Sequence, residues 1–276
     1  MMKSIREMPT DSEMSDSVLL ALMKYSRNMY MSEHAGFILS PLSDILREGN
    51  SACRGIGDEM ASFALSEYVM QTIFMKMTGA LEQKMKSICW DMATKDYEYR
   101  HDYLNKKNYG ECSDWKSKNG IYNDLIDNIQ KLNPGFSPSS LVNADFLDRI
   151  INEVKAIFLH SDMSLWQHRQ YVCFRDKYQE TFRANQIGLD KQKGAKGYKL
   201  FESDLQQLFE KVVYLHRNRC AHNTLSYQNN KPELDSLAED NGIYNNYFYR
   251  YALLILMDEV YIALFRKYAE LQDDER

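Results

Sequence analysis

Apolar residues recur at steps of three and four along most of the chain, a period that predicts helices. Leu19, Leu20, Met23 and Tyr30 form one side of a short helix near the start, and Pro41 opens a turn or a new helix. Between about 59 and 96 no proline interrupts Phe74, Met77, Leu81, Met85, Ile88 and Met92, a stripe for one long amphipathic helix with Gly79 as its point of bending. On the polar side of that helix Glu82 and Lys86 stand four apart, spaced for an ion pair. Polar connections around 105–120 and 132–140 bracket a short helix near 121–132. Phe146, Ile150, Val154 and Ile157 predict another, with Asn143 and Asp145 placed to cap its first turn. The same pattern continues through LWQHRQYVCFRDKYQETF. Phe201, Leu205, Leu208, Val212 and Leu215 then stripe a helix that runs into LHRNRCAHN at 215–223. From Tyr247 to Met257 the last helix is apolar on nearly every side except Arg250, as suits the centre of a bundle or a surface shared with a second subunit. Trp90 with Met92 and Trp166 with Phe174 read as core. Strand patterns and internal repeats are scarce, so the fold expected is all-α, a helical bundle.

Composition bounds the function. The chain has 276 residues, 44% of them hydrophobic, with 5 prolines and 12 glycines, enough to order a real core. A formal charge of -5 argues against a broadly basic surface but leaves room for a local one. The best local candidate is the glycine-rich segment NQIGLDKQKGAKGYK, with Lys191, Lys193, Lys196 and Lys199, whose plain alternative is a solvated loop. Five scattered cysteines suggest reduced thiols and neither a disulfide framework nor a zinc knuckle. RGIGDE lacks the full dinucleotide fingerprint, and no acidic set has the pattern of a two-metal site, so no cofactor or metal is expected. The N-terminus is unlike a signal peptide and YALLILM is too short to span a bilayer, which makes a cytoplasmic protein without a membrane partner the expectation.

Candidate chemistry concentrates in LHRNRCAHN. Asn218 and His222 lie four apart, on one face of a continuing helix, and Arg217 lies roughly 140° from His222 around the axis. An arginine beside an imidazole suits RNA cleavage, because the guanidinium neutralises charge on the scissile phosphate while histidine moves the proton. RNA carries its own nucleophile in the 2′-hydroxyl, so the products would be a 2′,3′-cyclic phosphate and a 5′-hydroxyl, without a metal. One histidine supplies acid and base poorly, and a symmetric homodimer would place two copies of Arg217 and His222 in one composite cleft. Spacing alone is uninformative, since Arg27, Asn28 and His34 reproduce it; position at the end of a patterned helix distinguishes the later copy. Arg219, His216, Asn223 and Tyr227 are candidate RNA contacts, with helix-end charge, surface polarity or helix termination as their simpler readings. Cys220 reads as a small packed residue.

RNRCAHN resembles the signature of HEPN-domain proteins, and the fuller LHRNRCAHNTLSYQN resembles its Abi-like branch, the bacterial abortive-infection proteins. MTGALEQKMKSICWDMA is similar to the family's early core helix, so the likeness covers about 74–265. It implies a HEPN-type helical bundle over 59–276, with an N-terminal extension of short helices over 1–58 and inserted helices and loops. It further implies a dimeric, metal-independent endoribonuclease acting as a toxin or phage-defence effector, catalytic roles for Arg217 and His222, a supporting role for Asn218, and a possible regulatory protein or RNA. The second histidine common in the Abi-like branch is Asn223 here. The alternative is a catalytically inactive helical RNA-binding, adaptor or antitoxin-like module.

Overall fold

The last helix, α11 (Tyr247–Asp274), is apolar around its circumference, and a helix of that kind has to be surrounded. The other elements are arranged about it. The computed structural model describes residues 34–56, 62–189, 197–222 and 242–274, without the side chains of 62–64 and His222. Expectations for the helix near Leu19, for Arg27, Lys191, Lys193, Lys196, Asn223 and Tyr227, and for the side chain of His222 lie outside the described residues.

In chain order come α1 (Ala35–Leu39), α2 (Leu42–Ala52), α3 (Ser62–Lys95), α4 (Tyr97–Asn105), α5 (Trp115–Leu132), α6 (Ala144–Phe158), α7 (Asp162–Trp166) and α8 (His168–Thr181). A short hairpin follows, β1 (Ile187–Leu189) against β2 (Lys199–Phe201), then α9 (Ser203–Leu208), a π-helical turn (Phe209–Tyr214), α10 (Leu215–His222) and α11. The protein is a mostly helical, all-α bundle, and no described helix is long and apolar enough to cross a membrane.

The stripe from Phe74 to Met92 on α3 is fully buried, as its period requires, and the apolar face of α6 is buried behind the Asn143 side chain, which accepts from the Phe146 amide at 3.0 Å. Helix α5 begins earlier than expected because Asp114 caps it, accepting from the Ser117 amide at 2.7 Å, and its first turns pack inward. Gln167 separates α7 from α8 where the pattern reads as continuous. Phe201 does not start a helix: it pairs with Ile187 in the hairpin, whose second strand is docked by Asn119 and Asn123 of α5 through the Leu200 and Tyr198 amides. Helices α1 and α2 contribute Ala35, Ile38, Leu42 and Leu46 to the same core. Where they meet α3 and α11, Lys84 donates to Asp258 at 2.7 Å and to the Ser40 carbonyl, while the second Asp258 oxygen accepts the Leu42 amide at 2.7 Å. Burial holds the Asp258 carboxyl up at about 6 despite the lysine beside it.

One core expectation and one ion-pair expectation on α3 change. Trp90 is 66% exposed, whereas Met92 beside it is buried; a step of two residues on a helix turns through about 200°, so the pair cannot share a face. Glu82 and Lys86 do not pair with one another: Glu82 is buried against Arg217, and Lys86 binds Glu111.

Candidate functional site

The helix leading into LHRNRCAHN is interrupted by the π turn. A π turn takes in an extra residue, so every side chain beyond it is shifted on the helix face relative to a continuous α-helix. The inward residues are Leu205, Phe209, Val212 and Val213, followed by the largely covered His216, while Leu215, expected on the stripe, is 49% exposed. The turn is held by Arg250, the polar exception on α11. Its Nε donates to the Val212 carbonyl at 3.1 Å, a terminal nitrogen donates to Tyr244 at 2.7 Å, and the guanidinium stacks over Tyr247 at 4.8 Å. A buried arginine with these acceptors stays charged, although burial brings it down to about 10.

His216 therefore points into the bundle, its ring 5.0 Å from that of Phe74. The Tyr247 hydroxyl donates to Glu67 at 2.9 Å, which leaves its oxygen to accept from His216 Nε2 at 3.2 Å; Nδ1 then accepts from Arg219 at 3.5 Å. Burial, with the Arg250 and Arg219 charges, pushes the imidazole down to about 2. It is neutral at any physiological pH and cannot act as an acid there. Cys220 Sγ lies 3.5 Å from His216 Nε2, yet burial raises the thiol, so the two are a neutral packed pair rather than a thiolate–imidazolium nucleophile.

On the other flank of α10, Arg217 donates to Glu82 of α3 at 3.0 Å and to its neighbour Asn218 at 3.4 Å. Its side chain is 23% exposed. It sits on the wall of a small pocket with Thr78, Glu82, Ser113, Lys118 and Tyr214. Lys118 is almost wholly buried, donating to the carbonyls of Cys112 and Ser113 under the Phe209 ring. Burial lowers its ammonium to about 8, with Glu82 opposing that shift. The pocket thus sets a carboxylate between two cations.

Of the expected site residues, Arg217 lines the pocket and Asn218 accepts from it without lining the pocket itself, and α10 stays helical through His222, which gives Asn218 and His222 their four-residue register. Arg219 is half-buried and donates to His216, and burial lowers its guanidinium. Lys199 is exposed on β2, away from α10 in the chain's order of elements. Among the described residues no three metal-ligating side chains converge. The sequence reading did not find Glu82, Lys118 or Arg250 as site residues. Arg250 was visible as one charge in an apolar run; Glu82 and Lys118 carry no local signal, because only the tertiary approach of α3, α5 and α10 brings them together.

No protein family, curated protein or solved structure matches the chain.

Proposed function

We propose that the protein is a metal-independent endoribonuclease of HEPN type in which Arg217 and His222 act on RNA, with Asn218 supporting the site. The observation that carries this reading is the division of labour on α10: His216 is locked away as a neutral core imidazole, while Arg217 stands partly exposed on a pocket wall beside Asn218. In the proposed reaction Arg217 leaves Glu82 for the scissile phosphate, and His222 serves as proton carrier for the 2′-hydroxyl attack or for the departing 5′-oxygen. Acid and base roles together require two histidines, which a homodimer with the α10 helices of both copies at one cleft would supply. That dimer would have to use surfaces other than the apolar residues of α11, which are consumed inside one chain; Leu65, Tyr68 and Leu215 are exposed on α3 and α10. A toxin or phage-defence role in the cytoplasm, under control of a protein or RNA, belongs to the same proposal.

The competing reading is a helical adaptor or RNA-binding module without chemistry. It is favoured by the Glu82–Arg217 ion pair, which by itself is a sufficient structural use for the arginine. Incubation of labelled single-stranded RNA with the wild-type protein, Arg217→Ala and His222→Ala in excess chelator separates the two. The nuclease reading predicts cleavage that falls by about 100-fold or more in each variant. Binding without cleavage by any of the three proteins would support the adaptor.

A further inference from the structure

The pocket beside Arg217 is filled by its own chain. Its free space is about 10 Å³, room for one water at most and not for a phosphate group. The side chain in the way is Glu82. Its carboxylate is buried, accepts from the Arg217 guanidinium at 3.0 Å and is the one acid among the described residues of the wall, where Arg217 and Lys118 are the cations. Two other acids close by are engaged elsewhere: Asp114 caps α5 through the Ser117 amide, and Glu111 is paired with Lys86. Lys118 feels Glu82 as an attracting charge and Arg217 as a repelling one. Two of its three donors go to the Cys112 and Ser113 carbonyls, and among the described residues the third has no partner. The pocket is therefore an anion site neutralised from inside. A phosphate from outside and the Glu82 carboxylate are alternative partners for one guanidinium fork.

Withdrawal of Glu82 has a destination. Lys86 lies one turn further along α3, at the spacing where a glutamate reaches a following lysine, and the two already interact through their charges. Lys86 is instead held by Glu111, whose side chain is 78% exposed in the loop between α4 and α5 and can leave into water. Glu82 thus has one cationic partner across the helix interface, Arg217, and a second on its own helix, Lys86, for which Glu111 competes.

We propose that Glu82 is an autoinhibitory latch: paired with Arg217 it keeps the RNA phosphate out, and swung onto Lys86 it opens a phosphate subsite formed by Arg217 and Lys118. The latch rests on the nuclease reading for its purpose, but its two positions are measurable without cleavage. The test measures binding of a single-stranded 2′-O-methyl RNA oligonucleotide, which offers no 2′-hydroxyl nucleophile, to the full-length wild type, Glu82→Gln, Glu111→Gln, the two combined, and each of these with Arg217→Ala. Glu82→Gln keeps the shape and removes the charge, and it is expected to bind about tenfold tighter. Glu111→Gln, a surface change that frees Lys86, is expected to bind tighter as well and to add nothing once residue 82 is changed. Both gains disappear with Arg217→Ala, whereas a mere loss of negative charge would help RNA binding in either background. Where Glu82→Gln does not fold, Glu111→Gln with and without Arg217→Ala carries the test. Equal or weaker binding by the glutamine variants, gains that survive Arg217→Ala, or no binding by any of the proteins would overturn the latch. If binding follows the expected pattern while unmodified RNA stays uncut by the wild type and by Glu82→Gln, the latch stands and the nuclease falls. If both proteins cut unmodified RNA at equal rates and bind with equal affinity, the nuclease stands and the latch falls.

Discussion

At the scale of single residues, the same motif contains two histidines with opposite fates. Composition and spacing make His216 and His222 look alike, and the difference arises because the π turn shifts His216 onto the inner face, beside Phe74, Tyr247 and two arginines. Its pKa is lowered from 6.5 to about 2, so the unfolded chain takes up a proton near pH 6.5 that the folded chain refuses. The stability tied to His216 is complete above pH 6.5 and is lost as the pH falls, by about 2 kcal/mol between pH 7 and pH 5. Thermal or urea melts of wild type and His216→Phe over that range should show a steeper decline for wild type; parallel declines would mean that His216 titrates like a solvent-exposed histidine. Asp258 is shifted in the other direction, up to about 6, so its contribution is greatest below its unfolded value of 3.8 and is lost as the pH rises through 6. Both proteins carry Asp258, so the comparison between them isolates the histidine.

At the scale of elements, what was legible in the sequence was what depends on one helix at a time. The stripe on α3, the Asn143 cap of α6 and the apolar girdle of α11 follow from local period and capping chemistry, and the structure has them. The stripe leading from Phe201 to Leu215 was not legible, because the inserted residue of the π turn is fixed by a partner on a different helix, Arg250. Glu82 was misread for the same reason: the cation at helical spacing from it in sequence is Lys86, four residues on, and its partner in space is Arg217. Arg250→Met should therefore cost roughly 2–4 kcal/mol in chemical denaturation, since it strips the Val212 and Tyr244 carbonyls of a charged donor inside the core. Deleting the exposed Lys211 should convert the π turn to α-helix. If Arg250 and the turn are one device, the two changes combined will cost less than their sum; strict additivity would show that they are independent.

At the scale of the whole molecule, α11 organises the bundle and carries a buried ion pair that joins three parts of the chain. Lys84 and Asp258 are 2% and 0% exposed and also serve the Ser40 carbonyl and the Leu42 amide. Removing one partner strands the other, so Asp258→Asn or Lys84→Met should each destabilise by about 3–5 kcal/mol, whereas Lys84→Met with Asp258→Leu should recover much of that loss. A double variant as unstable as the singles combined would show that the pair is worth more than its desolvation. The bundle so assembled brings α3, α5 and α10 to one pocket, which under the proposed function serves a ribonuclease using the RNA's own 2′-hydroxyl. The most direct measurement is the chemistry of the cut ends, on an RNA cleaved in chelator and on the same RNA with a single 2′-deoxynucleotide at the cleaved position. A 2′-hydroxyl mechanism leaves 2′,3′-cyclic phosphate and 5′-hydroxyl ends on the first RNA and makes no cut at that position in the second. Ends bearing a 5′-phosphate, or unimpaired cleavage at the deoxynucleotide, would contradict it.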